Sequence, residues 1–306
     1  MERIVLLKKM SESFPFVDAH VHFWDHSIAG LRWRYLEAGF DHPRLRGMHR
    51  LDAPAFTEIE LAEQAGPYTP DKLVHVQSCE EDRPGLESAW VQSLADSRGA
   101  IHAIIARARV ADPDLSSVLR ANEGNRLYRG VRDMASPITI GTPEFTAGFE
   151  SIADTGALLE VLVPYQKYAD VCALADRRPE AQIVLGHAGL AEQRDDEYFQ
   201  VWSQTMKMFA SRPNVLVKIS ALASGADPDW SVASIRPWVR CCVDTFGPDR
   251  AMFGTNWPID RLFGTYERLI DAYRECVGDL APHEQDALFT DTATSLYELG
   301  PDKDSR

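Results

Sequence analysis

The sequence predicts a (β/α)8 barrel, a distorted α/β TIM barrel in a single domain, on three observations. Eight short β-rich runs occur, helical patterns separate most of them, and the first run ends in histidines where a dinucleotide fold would carry GxGxxG. Parallel strands need crossover connections rather than tight turns, and eight such units close a barrel.

The runs are FVDAHV, KLVHVQ, IHAIIARA, YRGVR, LLEVLV, QIVLGH, NVLVKIS and RAMFGT, starting near residues 16, 72, 101, 128, 158, 182, 214 and 250. After the first, the stretch from about 24 to 71 mixes Trp24, Trp33, Tyr35, Pro43, Pro54 and Pro70 with charges and has no sustained period. It reads as a long first βα insertion lying over the C-terminal mouth, where barrel active sites sit. Later connections carry apolar residues at three- and four-residue steps at 86–97, 143–155, 168–177, 198–211, 234–246 and 266–277. That spacing suits helices lying on a sheet. Residues 1–15 read as an N-terminal extension, 16–300 as the barrel and 301–306 as a tail. No linker marks a second domain, and no repeat of about 20 to 50 residues suggests a solenoid or propeller.

The 306 residues are 45% hydrophobic and 25% charged, which supplies a core and argues against general disorder. A formal charge of −14 repels phosphate backbones and anionic bilayers, so neither nucleic acid nor membrane is an expected partner. A small anionic or polyhydroxylated substrate stays open, because a local arginine outweighs distant screened charges. Homo-oligomerisation is open as well. Cys79, Cys172, Cys241, Cys242 and Cys276 are odd in number and lack metal-like spacing, which predicts free thiols. With no signal-peptide core and no run of about 18 apolar residues, a cytoplasmic protein is expected.

Strict alternation in VDAHVHFWD would point Asp18, His20 and His22 to one side, the barrel interior. Imidazoles two apart at a strand end can bind one divalent metal or polarise one oxygen, with Asp18 as orienting partner. HxH alone is a weak motif. His187, ending IVLGH, would bring a third imidazole to the same mouth, enough for a catalytic zinc with an open position. At the last strand Asn256 follows Gly254, and Pro258 turns the chain out of the sheet.

The motifs DAHVHFW, LVHVQ, GVR, LVPYQ, VLGHAGL, NVLVKIS and RAMFGTNWPID occur in order, and together they resemble the amidohydrolase 2 branch of the amidohydrolase superfamily from about residue 16 to 299. The resemblance implies a distorted TIM barrel and a hydrolase opening sugar-acid or carboxylated lactones. It carries the family's histidines onto His20, His22 and His187, as catalytic groups or metal ligands. It also implies either one divalent ion, zinc by preference, or no metal.

Asn256 stands where characterised lactonases of the family have Asp. An amide has no basic site near neutral pH and can only position water. Asp260, or Glu80 or Glu81, is then a candidate base. The same departure favours an alternative, a lactone isomerase or decarboxylase on the same barrel. Arg132 is expected to hold a substrate carboxylate through two parallel bonds. Lys218, between apolar neighbours, needs a partner or a role. Gln77 and Gln166 could bond sugar hydroxyls, and Trp257 and Trp24 could wall the pocket, although caps and packing are the plainer readings. His75 shares the parity of Gln77.

Overall fold

The computed structural model describes residues 14–40, 47–224 and 226–300, so the expected tail and most of the N-terminal extension lie outside the described residues. Eight parallel strands lie in chain order: β1 (Val17–Val21), β2 (Lys72–Val76), β3 (Ile101–Arg107), β4 (Tyr128–Asp133), β5 (Leu158–Val161), β6 (Ile183–Leu185), β7 (Val215–Ile219) and β8 (Ala251–Phe253). All eight expected strands are present. The barrel closes just beyond β8, where Val21 bridges Trp257 in parallel. There the Asn256 N–H donates to His20 O and the His22 N–H to Trp257 O, both at 2.8 Å. Closure therefore sets Asn256 beside the two histidines of β1.

Around the sheet run α1 (Glu58–Ala65), α2 (Leu86–Arg98), α3 (Leu115–Asn122), α4 (Pro143–Asp154), α5 (Tyr168–Arg177), α6 (Asp196–Ala210), α7 (Val232–Phe246) and α8 (Tyr266–Val277). The six helices expected from periodicity are all found, with ends shifted by at most two residues. The eight-residue α3 was not legible, being too short to repeat its pattern.

Inside the barrel, Val17, Ala19, Val74, Val76, Ala103, Ile105, Leu158, Val184, Leu216 and Met252 form an apolar layer with Ala293, Tyr297 and Leu299. The C-terminal segment thus plugs the end where strands begin. Lys72 Nζ, at the start of β2, fastens it by donating to Leu299 O at 3.3 Å and Gly300 O at 3.0 Å. Each fully buried Val, Leu or Met of this layer is worth about 1.5–3 kcal/mol.

The segment after β1 folds onto the opposite end. Trp24–Asp25 pairs antiparallel with Ala55–Phe56, and Leu31–Arg32 with Glu80–Glu81, just past β2. Trp33 Nε1 donates to Phe23 O at 3.1 Å and Ser78 Oγ at 2.9 Å. Thr57 and Glu60 form a reciprocal capping box on α1, satisfying backbone donors that would otherwise be orphaned. Among the described residues no helix is long and apolar enough to cross a membrane. The five cysteines are free, as their number and spacing predict.

Candidate active site

Strict alternation fails in β1. The register against β2 slips by one residue between Asp18 and Val21, so an extra residue on β1 breaks the period of two. This corrects the expectation that Asp18 faces inward with the histidines. Its carboxylate instead accepts from Thr255 N and Oγ1, at 2.9 and 2.6 Å, and from Tyr266 Oη at 2.8 Å, at the start of α8. Burial pushes its pKa up to about 6 against these hydrogen bonds. Asp18 therefore ties β1 to β8 and α8 and does not orient an imidazole.

His20 and His22 do meet, Nε2 to Nε2 at 3.2 Å. His22 Nδ1 lies 2.9 Å from Val76 O, which only accepts, so Nδ1 carries the proton. Its Nε2 therefore offers a lone pair in the neutral ring, and Asn256 Oδ1 lies 3.2 Å from that nitrogen. Arg132 Nη1 donates to His20 Nε2 at 3.1 Å, which makes that atom an acceptor too. The ring of His187 lies 4.7 Å from that of His20, centroid to centroid. Burial, reinforced by Arg132 at all three and by Lys218 at His20 and His187, holds the three histidines well below their usual pKa and keeps them neutral.

Beneath them lies a charged layer in which Lys218 is joined by Glu160. Lys218 Nζ bonds Glu160 Oε2 at 2.7 Å, with both side chains fully buried. Glu160 Oε1 faces His20 Nδ1 at 3.5 Å. Lys218 thus has the partner its position demanded. The signal for Glu160 was of the same kind, a lone charge in the apolar run LLEVLV.

Arg132 is 4% exposed, and its Nε–H has no hydrogen-bond partner. Nη2 donates to the backbone oxygen of Gln77 at 3.3 Å. The buried Tyr35 hydroxyl also lacks a well-formed hydrogen bond and lies within the electrostatic reach of Arg132 and Glu87. Tyr35 comes from the insertion, where no periodicity could have singled it out.

The last strand supplies Asn256 in the left-handed region, at φ 56°, which asparagine tolerates better than most residues. Gly254 is required by its neighbour, since a Cβ there would stand 2.6 Å from His20 Cβ. Asn256 Nδ2 donates to Asp260 Oδ1 at 2.7 Å. Asp260 is buried, and burial raises its pKa well above the usual carboxylate range. It thus orients the amide of Asn256, and only an ionised form could accept a proton.

His187 opens a one-turn segment, His187–Leu190, whose φ values are 53°, 51°, 61° and 52°. A left-handed turn costs about 1–2 kcal/mol for each non-glycine residue, and three of these four are not glycine. The His187 ring is fixed by Nδ1, 2.9 Å from Ser220 Oγ.

Other candidates lie elsewhere. Gln166 is exposed in a short 3-10 turn. Glu80 pairs with Arg34, while Glu81 accepts from Gly85 N and Glu87 N at the start of α2. Trp257 Nε1 bonds Gln64, and Trp24 packs on Phe56. His75 is held by Glu87 at 3.1 Å and stacked on Phe23, so it serves packing behind the sheet.

Among the described residues no group of three or more His, Cys, Asp or Glu converges as a metal set. His22 Nε2 and Asn256 Oδ1 nevertheless face each other with no proton between them, and His20 Nε2, which accepts from Arg132, lies 3.2 Å from His22 Nε2. Imidazole and amide donors in that arrangement fit a cation of borderline softness, held without any anionic ligand.

This barrel, with histidines on β1 and after β6, defines a class of enzyme. The family model described as Amidohydrolase matches residues 17–299, and the chain belongs to that family. It is 30% identical to an uncharacterised protein of Sinorhizobium fredii over 92% of this chain and 98% of that one. It is 27% identical to an L-fucono-1,5-lactonase of Burkholderia multivorans, over 95% of this chain and 98% of the relative. An amidohydrolase crystal structure from Burkholderia multivorans superimposes with a TM-score of 0.77 at 25% identity, covering 94% of this chain and all of that one. A second crystal form, at 24% identity and the same TM-score, holds zinc.

Proposed function

We propose that the protein hydrolyses the ring ester of a small sugar-acid or carboxylated lactone. The observation that carries this reading is one buried cluster of polar side chains. In it, neutral imidazoles and the Asn256 amide face a buried guanidinium whose Nε–H is unpartnered. The relatives that act on L-fucono-1,5-lactone support the substrate class.

Ester hydrolysis needs positive charge where the carbonyl oxygen becomes anionic, and Arg132 supplies it from a site largely closed to water. In the tautomer whose Nδ1–H donates to Ser220 Oγ, 2.9 Å away, His187 presents Nε2 as a lone pair for the attacking water. That nitrogen takes one proton from water as the carbon–oxygen bond forms. It returns the proton to the ring oxygen as the ester bond breaks. Asn256 Oδ1 accepts the water's second O–H, with Asp260 holding the amide in place. Glu160, held by Lys218, fixes the ring of His20 from below. Zinc, where bound, would be held by His20, His22 and Asn256, leaving His187 as the base, and would polarise the carbonyl as a Lewis acid.

A panel of sugar-acid and pyrone lactones, assayed with and without chelator and with products identified, tests the reading. An open hydroxy acid is expected. Release of carbon dioxide, or a rearranged ring without hydrolysis, would instead support the decarboxylase or isomerase that Asn256 also permits.

A further inference from the structure

Nothing in the catalytic scheme explains why His187 opens a run of four left-handed backbones of which only Gly189 is a glycine. The turn is held from outside by one face of α6. Trp202 Nε1 donates to Ala188 O at 2.9 Å, and Tyr198 Oη donates to Leu190 O at 2.8 Å. Tyr198, Trp202 and Met206 are spaced by four residues, so they form one stripe of the helix. All three are buried. Met206 Sδ would stand 3.0 Å from a Cβ at residue 189, so the stripe lies directly against the turn. On the other side, the Gly186 N–H donates to Val161 O at 3.0 Å and anchors the entry to the sheet. Two side-chain donors thus hold two carbonyls of a conformation the chain disfavours.

We propose that Tyr198 and Trp202 are positioning residues, which aim the His187 imidazole at the His20 ring and the polar cluster around it by clamping the left-handed turn through its carbonyl oxygens. This deepens the lactonase reading and rests on His187 taking part in that chemistry. Without the two donors the turn relaxes toward right-handed backbone, and the ring swings away from the neighbouring His20 ring.

The clamp makes a prediction that simple packing does not. Glycine adopts the left-handed region without steric penalty, so a glycine in the turn should make the matching donor dispensable. Tyr198→Phe keeps the ring and removes the hydroxyl, which also accepts from Glu192 N at 3.3 Å, whereas Trp202→Phe removes the donor and trades the buried indole for a smaller ring. With L-fucono-1,5-lactone as substrate, each is expected to lower kcat about tenfold with KM little changed. Leu190→Gly in the Tyr198→Phe background, and Ala188→Gly in the Trp202→Phe background, should recover most of the loss.

An independent readout is the ring 15N spectrum of the full-length protein, in which the His187 resonances are assigned by their loss in His187→Gln. These resonances should shift in each Phe variant and return in each glycine double variant. Unshifted His187 resonances, or Phe variants that glycine fails to rescue while folding remains intact, would overturn the clamp. Resonances that shift and recover in a protein turning over no lactone would keep the clamp and reject the substrate reading.

Discussion

Glu160 and Lys218 form an ion pair with no access to water, and such pairs are costly chiefly when one partner is removed. Glu160→Gln leaves the Lys218 ammonium buried without a counter-charge. Urea denaturation should show the variant destabilised by about 3–5 kcal/mol, with Glu160→Gln/Lys218→Met recovering most of that loss. A Glu160→Gln protein as stable as wild type would mean that Glu160 does not carry the neighbouring charge. Asp260 obeys a different rule. Burial raises its folded pKa, so the folded state keeps a proton that the unfolded state has lost. Its contribution therefore falls as pH rises above about 3.9 toward the folded pKa, by about 1.4 kcal/mol per pH unit. Asp260→Asn keeps an acceptor for Asn256 Nδ2 and removes that proton. The stability difference between variant and wild type should shift in the variant's favour as pH rises from about 4, and a difference that stays constant over that rise would show that the folded carboxyl titrates like the unfolded one.

Strands and turns decide what those residues can reach. β1 and β8 meet where Gly254 passes against His20, and any Cβ there would strike His20 Cβ and its backbone nitrogen. Gly254→Ala should cost about 1–3 kcal/mol by overpacking and, by displacing His20, reduce lactone turnover more than its Tm shift accounts for. Turnover equal to wild type would mean the seam tolerates movement. At this scale the sequence was a good guide to periodic elements and a poor one to aperiodic ones. The eight strands and six longer helices announced themselves through periods of two and 3.6, and His20, His22, His187, Asn256 and Arg132 stood out as polar residues ending apolar runs. Asp18 was misplaced because a single-residue slip in register leaves no compositional trace. Tyr35 came from a segment with no period, and the left-handed backbone at His187 could not be read from HAGL, which supplies one glycine for four such residues. Glu160 was readable by the argument that flagged Lys218.

Taken as a whole molecule, the barrel places an apolar layer at the end where strands begin, plugged by the C-terminal segment, and a buried polar cluster toward the other end under the segment that follows β1. That layering separates stability from chemistry. The donors of this cluster are neutral, and Arg132 and Lys218 add positive charge around them, so an ion there would be held weakly and would add little to folding. Exhaustive chelation should therefore shift Tm by no more than about 2 °C, whereas a structural zinc would contribute several kcal/mol and, at about 2–4 °C per kcal/mol for a chain of this size, a far larger drop.

The most direct test of the whole account is the initial rate of L-fucono-1,5-lactone ring opening by the wild-type protein and by His187→Asn, measured at equal folded concentration. The wild type should open the ring, and the variant should be slower by about 10²-fold or more, the range for a lost general base. Equal rates in the two proteins would contradict the claim that these converging imidazoles carry the reaction.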